Sequence, residues 1–254
     1  ITVDIGQIMF KPTVTISSDI WKQDKAKSHA NPKKWIISEV EDGGGGVIPY
    51  EYKEKNFVNA LQWAIGLELF LLIKDPWRVF LTTDHPNGAP FTSYPKLIRL
   101  LMDLDYRNSE INKINSFAKE ICNLRVIKRT YSLYEIAIMT RAAPAKIMGL
   151  KDKGSLKPGS IADISIYDPK KTIDEMFSYA DLVFKNGVNV IKNGKVINVV
   201  RGSTQTVKLE YDQKIHKNLQ NWFDRYYSLN INTFEVDENY FQSNNFKYID
   251  KLKS

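Results

Sequence analysis

The chain of 254 residues has little cysteine, since Cys122 is the only one. A single cysteine excludes an internal disulfide and fits a reducing compartment, where a half-buried thiol usually serves as a small hydrophobic side chain. We therefore expect a cytoplasmic protein in which Cys122 has a packing role.

Histidine is also scarce. His29, His85 and His216 are the three histidines, and the sequence contains no His-x-His pair. His29 falls in a stretch without regular periodicity, and His216 falls on a predicted C-terminal helix. Because imidazoles that bind a metal must converge on one point, we interpret His29 and His216 as surface residues.

Long apolar runs are missing as well. The run at residues 67–73 contains Glu68 and ends at Lys74-Asp75-Pro76, which is far short of the roughly 20 residues that cross a bilayer. We therefore expect no membrane span. The first residues, Ile1-Thr2-Val3, include neither an initiator Met nor the basic region of a signal peptide. From this start we expect a chain cut from something longer.

The charge is basic but not concentrated. The net charge is +7 and the isoelectric point is near 9.2, yet acidic residues lie between the lysines along the whole chain. This pattern is typical of a solvated surface rather than of a basic stripe that binds phosphates. We therefore expect no nucleic-acid partner.

The first part of the chain shows the pattern of a parallel βαβ unit. Residues 1–10 are rich in Ile and Val and predict a strand with Gln7 at or near its tip. Residues 51–73 have apolar side chains at helical spacing, and the β-branched and aromatic residues 78–83 predict a second strand. Between them, residues 11–50 lack periodicity, which predicts a long excursion with a flexible, glycine-rich tip.

Asp84 and His85 directly follow that second strand, and Pro86-Asn87-Gly88 stops any regular element. In α/β barrels, the C-terminal tips of the strands carry the chemistry. A carboxylate at such a tip can bind a metal, accept a proton from bound water, or stabilise the turn through its own backbone. The residues alone leave these three roles of Asp84 open.

The second half combines helices with a small antiparallel module. Helices are predicted over residues 94–103 and 112–123, and a capping box of Ser132 and Glu135 predicts another. After residue 154, a Gly/Pro turn leads into alternating strands. Asn186-Gly187 and Asn193-Gly194 are typical hairpin turns.

The last residues predict an extension beyond this module. We expect one more strand over residues 205–211 and an amphipathic helix over 213–227. The remaining residues, 228–254, are rich in Asn with scattered Phe and Tyr. We expect them to form a tail that packs against a neighbouring subunit.

One ordered set of short motifs spans roughly residues 133–168. Its members are Pro144-Ala145-Lys146, Gly149-Leu150, Lys153-Gly154, Pro158-Gly159 and Ala162-Asp163. This order resembles the C-terminal signature of the amidohydrolase superfamily. The resemblance implies an α/β fold, namely the C-terminal part of a metal-dependent (β/α)8 TIM barrel, small antiparallel β-sandwich strands, and a C-terminal helix and tail. It divides the chain into barrel units (1–129), closing helix and sandwich module (130–211), and extension (212–254).

A narrower resemblance rests on four motifs, Ile1 to Gln7, Tyr52 to Asn56, Gln62 to Glu68, and Thr82-Thr83-Asp84-His85-Pro86-Asn87-Gly88. Together they resemble the amidohydrolase-type subunit of formylmethanofuran dehydrogenase. This resemblance implies that formate is condensed with methanofuran at a dinuclear zinc site, as carbon dioxide is reduced to formylmethanofuran in methanogenesis. It also implies partner subunits that carry a tungsten- or molybdenum-pterin and iron–sulfur clusters.

The resemblance gives roles to three residues. Asp84 matches the superfamily's aspartate after the last barrel strand, which implies that it binds a metal and handles the proton of metal-bound water. His85 and Asn87 lie in the same motif, which implies contacts with the substrate or with the metal ligands. Stabilisation of the turn is the alternative role for both.

The chain also departs from the superfamily pattern. The His-x-His motif, the carboxylated lysine and two further histidine ligands have no counterparts. We therefore expect this chain alone to hold no complete zinc site and to be inactive, either as the C-terminal part of a longer subunit or as a degenerate paralogue. The alternatives are an ordinary amidohydrolase, dihydroorotase-like or deformylating, and a non-catalytic scaffold subunit.

Overall fold

The structure is a computed structural model that describes residues 1–17, 21, 46–169, 172–206, 212, 214–234 and 246–248. It begins with strand β1 (Val3–Gly6). Strands β2 (Pro12–Ser17) and β3 (Gly46–Glu51) then form an antiparallel hairpin, with Thr13 opposite Tyr50 and Thr15 opposite Ile48. The prediction of an irregular excursion over residues 11–50 was therefore wrong at both of its ends. Its middle, including His29, lies outside the described residues.

Helix α1 (Phe57–Leu72) follows the hairpin. Asn56 caps it by accepting the backbone N–H of Asn59 at 3.1 Å. Its buried face supplies much of the core, and the members of that face are Ala60, Trp63, Ala64, Leu67, Phe70 and Leu71. The helix predicted over residues 51–73 is thus confirmed, with a start six residues later than the apolar spacing indicated.

Strand β4 (Val79–Thr82) pairs in parallel with β1, and Gly6 lies opposite Thr82. Val79, Leu81 and Ile5 are buried on the face that packs against the core, as the alternation of a strand requires. The predicted parallel βαβ unit is confirmed. Because both strands run in one direction, their C-terminal ends meet at the same edge of the sheet.

Three helices come next: α2 (Tyr94–Met102), α3 (Leu104–Lys113) and α4 (Ser116–Ile121). The first was predicted. The short helix predicted near residues 112–123 is confirmed as α4, which begins at Ser116, whereas α3 was missed. Each of these two helices begins at a side-chain cap. Asp103 accepts the N–H of Tyr106, and Asn115 accepts those of Phe117 and Ala118.

The closing helix begins at the predicted capping box, in which Ser132 and Glu135 cap each other. It runs through α5 (Leu133–Ala137), a π turn at Ile138–Ala142, and α6 (Ala143–Ile147). Arg129, just before it, donates to the Leu71 carbonyl at 3.1 Å and pairs with Glu135 at 3.2 Å. Arg129 thereby joins the C-terminal end of α1 to the start of the closing helix.

Strands β5 (Ile164–Ile166), β6 (Leu182–Lys185), β7 (Val188–Lys192) and β8 (Lys195–Val196) form a four-stranded antiparallel sheet in that order. Helix α7 (Ile173–Ser178) lies between β5 and β6 in the chain and packs against α2, where Arg99 bridges Asp103 and Asp174. Asn186 and Asn193 have φ of 50°, as type I′ hairpin turns require. Both predicted turns are confirmed.

Asp163 holds the first of these turns. Its carboxylate contacts Lys153 Nζ at 2.5 Å and Lys185 Nζ at 3.2 Å, and it accepts the N–H of Asn186 at 2.9 Å. Partial burial alone would raise the pKa of the Asp163 carboxyl. The hydrogen bonds from Lys153, Asn186 and Lys185 outweigh burial and lower that pKa from 3.8 to about 2.

Asp163→Asn is therefore expected to destabilise the chain at neutral pH by about 1–2 kcal/mol, discounted from the pKa shift for partial exposure. Because the folded-state pKa is depressed, the contribution is fully present above pH 3.8 and is lost as the pH falls through about 2. Denaturant unfolding at pH 6 and at pH 2 measures this. An equal loss of unfolding free energy at both pH values would contradict this expectation. Glu120→Gln, on the exposed surface of α4, is the control.

The C-terminal extension contains strand β9 (Thr204–Thr206), helix α8 (Lys214–Tyr226) and strand β10 (Phe246–Tyr248), which pairs in parallel with β9. The predicted amphipathic helix is confirmed, and His216 lies exposed on it. Its apolar face also remains exposed, including Ile215 and Trp222. Only the start of the strand predicted over residues 205–211 lies within the described residues.

In the part of the chain that the structure describes, the parallel sheet formed by β1 and β4 has two strands. This fits an α/β fold, whereas closure of a (β/α)8 barrel remains a proposal. No described helix has the length and apolar character needed to cross a membrane.

Candidate functional site

The candidate site lies at the edge where β1 and β4 both end. β4 ends at Thr82, and the chain then turns sharply through residues 83–88. Two backbone hydrogen bonds close this turn. The N–H of Gly88 donates to the Asp84 carbonyl at 3.0 Å, and the N–H of Ala89 donates to the Thr83 carbonyl at 2.9 Å. As a result, Asp84 and His85 are exposed at the strand tip.

Asp84 is held in an unusual backbone conformation. Its φ is 47°, in the left-handed region that aspartate tolerates better than most residues. Its N–H donates to Thr82 Oγ1 at 3.0 Å. Gly6 lies so close that a Cβ added there would be 2.8 Å from Asp84 Cβ. The position of Asp84 therefore depends on a glycine in the neighbouring strand.

Asn87 fixes the carboxylate of Asp84. Its Nδ2 donates to Asp84 Oδ2 at 2.7 Å, a short bond typical of a charged acceptor. Its Oδ1 accepts a hydrogen bond from the hydroxyl of Thr15 in β2. Thus one carboxylate oxygen of Asp84 is held, and the other, Oδ1, has no hydrogen bond from any residue that the structure describes.

His85 presents one defined nitrogen. Its Nδ1 accepts the backbone N–H of Phe91 at 3.2 Å. Its ring packs edge-on against the Phe91 ring, with the two ring centres 4.7 Å apart. Because Nδ1 is the acceptor, the neutral imidazole carries its proton on Nε2. His85 can therefore donate a hydrogen bond from Nε2 at the exposed tip.

Two carboxyl groups, those of Asp4 and Asp84, interact at this edge. Partial burial raises the pKa of the Asp4 carboxyl, and the negative charge of Asp84 raises that pKa further. A hydrogen bond from Thr82 lowers the same pKa but does not cancel the rise. Burial raises the pKa of the half-buried Tyr52 phenol, and Tyr50 and Asp84 add to that effect. Asp4, Tyr52 and Asp84 thus share one electrostatic environment, which favours a cation or an ammonium group.

The side chain of Gln7 turns away from this edge. The sequence predicted that it would lie at the strand tip, but its side chain is buried and donates to the carbonyls of Ile8 and Trp63 at 3.1 and 3.0 Å. Gly66 leaves room for it, since a Cβ there would lie 1.9 Å from Gln7 Oε1. Gln7 therefore follows the end of β1 directly, as predicted, but its side chain joins β1 to α1 and does not reach the exposed edge.

A zinc centre needs several converging ligands. Among the described residues, no three His, Cys, Asp or Glu side chains come together closely enough to hold a metal. Asp84 could provide one oxygen ligand through Oδ1. The described residues of this chain therefore do not by themselves build a dinuclear zinc centre.

Three residues of the site were missed from the sequence: Gly6, Thr15 and Asp4. Gly6 and Asp4 lie in a predicted strand, and their alternation with Val3 and Ile5 could have placed them on the face that Asp84 shares. Thr15 lies in a stretch that was predicted to be irregular. The alternation Thr13-Val14-Thr15-Ile16 was a signal for a two-faced strand there.

A model of the amidohydrolase family matches residues 23–198 of the chain. Among curated relatives, the subunit designated A of the formyltransferase/hydrolase complex Fhc of Methylorubrum extorquens is 43% identical over 243 residues, and the match covers 96% of this chain. Protein FwdA of Methanocaldococcus jannaschii is 39% identical over 256 residues and also covers 96% of this chain. The chain spans 44% and 45% of the lengths of these two relatives.

A solved structure agrees with these matches. The crystal structure of the formyltransferase/hydrolase complex FhcABCD from Methylorubrum extorquens, in complex with methylofuran, contains a chain that is 41% identical to this one. It superposes with a TM-score of 0.79 over 98% of this chain and 46% of that chain. The resemblance to the amidohydrolase-type subunit of formylmethanofuran dehydrogenase is thus confirmed. The family match over most of its length shows that this chain belongs to the amidohydrolase family.

Proposed function

We propose that this chain is part of an enzyme of formylmethanofuran metabolism, and that Asp84 acts on the formamide bond between a formyl group and an amine. The observation that carries the proposal is the placement of Asp84 at a strand tip, with Oδ2 held by Asn87 at 2.7 Å and Oδ1 without a partner among the described residues. The similarity to a chain of the FhcABCD complex, solved with methylofuran, supports a furan-linked amine as the substrate class.

The reaction balances without an oxidant or a reductant. Formate and the protonated amine combine to give the formamide and one water, and hydrolysis is the reverse. In hydrolysis, Asp84 Oδ1 takes a proton from the attacking water and then delivers it to the leaving nitrogen. In synthesis, the ammonium group first gives one proton to formate, and the neutral amine then attacks the carbonyl carbon. The same Asp84 oxygen takes a second proton from the attacking nitrogen and gives it to the departing hydroxyl, which leaves as water. The negative charge of Asp4 and Asp84 favours approach of an ammonium group.

The cofactors belong to the complete enzyme in this proposal. A dinuclear zinc site would use Asp84 as one ligand, with its other ligands outside the described residues. Bound zinc would polarise the formyl carbonyl and acidify water. Tungsten- or molybdenum-pterin and iron–sulfur clusters would lie in partner subunits that make the formate in the cytoplasm.

Other subunits of the same enzyme are the proposed partners, since the similar solved chain is part of an FhcABCD complex. This chain has apolar surface left for such contacts. On α8, Ile215, Leu219, Trp222 and Tyr226 are each 40–61% exposed. Exposed aromatic and aliphatic groups of this kind are typical of contact surfaces.

Isotope labelling tests the proposal. The complete enzyme, supplied with formylmethanofuran in water enriched in oxygen-18, is expected to release formate with one labelled oxygen at early times, because water supplies that oxygen. Supplied with formate and methanofuran, it is expected to form the formamide. Turnover of a cyclic amide such as dihydroorotate instead would indicate an ordinary amidohydrolase. Absence of any turnover in the complete, metal-loaded enzyme would indicate a scaffold subunit.

A further inference from the structure

Two side-chain hydrogen bonds connect the β2–β3 hairpin to Asp84. The Thr15 hydroxyl donates to Asn87 Oδ1, and Asn87 Nδ2 donates to Asp84 Oδ2 at 2.7 Å. We propose that Thr15 is a positioning residue, which acts through Asn87 to orient the Asp84 carboxylate. This inference rests on the proposed function, because it gives Thr15 a role in the reaction of Asp84.

The direction of the Asn87 amide is what Thr15 controls. An asparagine side chain has one acceptor end and one donor end. A carboxylate can only accept, so Asp84 needs the donor end. The Thr15 hydroxyl donates to the acceptor end and so stabilises the orientation in which Nδ2 faces Asp84. Without that donor, the Asn87 side chain loses one of the two bonds that fix its orientation.

Strand alternation puts a second hydroxyl beside Thr15. Thr13 and Thr15 lie two residues apart in β2 and therefore share a face. The Thr13 hydroxyl donates to the backbone carbonyl of Pro86. Thr13 thus holds the same turn but makes no contact with the amide that bonds Asp84. It provides a matched control for the effect of losing a threonine hydroxyl from this strand.

The hairpin is fixed to the core from its other strand. Asn59 of α1 is 5% exposed, and its Nδ2 donates to the Tyr50 hydroxyl at 3.2 Å. The same side chain accepts the N–H of Lys53 at 3.1 Å through Oδ1. Because Tyr50 lies opposite Thr13 in the hairpin, this anchor holds β2 over the turn. The position of Thr15 is therefore fixed relative to the core.

The experiment compares Thr15→Val, Thr15→Ser and Thr13→Val in the complete enzyme. Valine keeps the shape of threonine and removes the hydroxyl, whereas serine keeps the hydroxyl. We expect Thr15→Val to lower kcat by about 3- to 10-fold, the effect of one neutral hydrogen bond, with KM within about 2-fold. Thr15→Ser should restore kcat to within about 2-fold of the wild type. Thr13→Val should lower kcat less than Thr15→Val does, because it removes the bond to the Pro86 carbonyl but leaves both bonds of the Asn87 amide.

A double-mutant cycle tests whether Thr15 acts through Asn87. Asn87→Ala alone should lower kcat by about 10-fold or more, since it removes a bond to a charged group. Adding Thr15→Val to Asn87→Ala should then cause no further loss. An equal loss in Thr15→Ser and Thr15→Val, or a full further loss in the double variant, would overturn the proposal.

A crystal structure of the complete Thr15→Val enzyme provides a readout that does not depend on activity. We expect the Asn87 amide to have turned or moved away from Asp84. An amide that still lies 2.7 Å from Asp84 Oδ2 would overturn the proposal even if the enzyme were inactive. The two hypotheses fail separately: an Asp84→Asn enzyme with full turnover removes the proposed function, whereas a silent Thr15→Val beside an inactive Asp84→Asn removes only the role of Thr15.

Discussion

Replacing Asp84 by asparagine is expected to lower turnover of the complete enzyme by about 10²- to 10⁴-fold, the usual effect of losing a positioned acid or base. Asparagine keeps the size of the side chain and tolerates the φ of 47° at this position. It removes the charge and the ability of Oδ1 to accept a proton. Folding and association with the other subunits should therefore be unaffected while the chemical step fails.

The alternative is that Asp84 only stabilises its turn. In that case stability should fall by about 1 kcal/mol or less, because asparagine replaces aspartate well in turns, and turnover should survive. Asp75→Asn is the matched control, since Asp75 caps a short 3-10 turn by accepting the N–H of Trp77 at 3.0 Å. Zinc content must be measured in each variant, because loss of a metal ligand would imitate loss of a base. Normal turnover in a zinc-loaded Asp84→Asn enzyme would remove Asp84 from the mechanism.

Replacing Gly6 by alanine is expected to lower kcat by about 10²-fold, the scale on which displacement of a reacting group by about 1 Å acts. The new methyl group would lie 2.8 Å from Asp84 Cβ. Since Cβ atoms do not approach so closely, and Asp84 Cβ is attached to the backbone, the strand tip itself must move. A cost in stability of about 1–3 kcal/mol should accompany the change, as for other overpacked sites.

Two comparisons separate this clash from a general effect of alanine. Gly202→Ala is the control, because a Cβ there meets nothing within 4 Å. The stability cost of Gly6→Ala should also largely disappear when Asp84 is replaced by glycine, because glycine lacks the Cβ atom with which the new methyl group clashes. Thermal unfolding of the wild type, the two single variants and the double variant measures this cost. A cost that persists in the Asp84→Gly background would place the clash elsewhere.

The elements with long periodic patterns were predictable from the sequence. Helix α1 and strand β4 have apolar spacings that extend over most of their length, and the motif at residues 82–88 identified the turn that carries Asp84. Helix α3 was missed, and the start of α4 was placed too early, because the caps at Asp103 and Asn115 were not recognised. These caps act through one or two backbone N–H groups each, so they leave little trace in the periodicity.

The partners of Asp84 were harder to predict for a different reason. Gly6 packs against Asp84, and Thr15 bonds to Asn87, each across roughly 70 to 80 residues of chain, through strand register and hairpin packing. The two arms of the hairpin are themselves separated by residues 18–45. Local patterns show that a short stretch can form a strand, but they do not show which distant segment it will pair with.

The bonds between the hairpin and the turn also bear on loop exchange between relatives. Thr13 and Thr15 of β2 contact Pro86 and Asn87, so the hairpin and the turn meet through side chains of both. A graft that replaced residues 12–51 alone would pair a foreign strand with the native turn. The hydrogen bond from Thr15 to Asn87 would then be lost, unless the foreign strand had a hydroxyl at the position of Thr15. Chimaeras between relatives should therefore transfer residues 12–51 and 82–88 together, as a single unit.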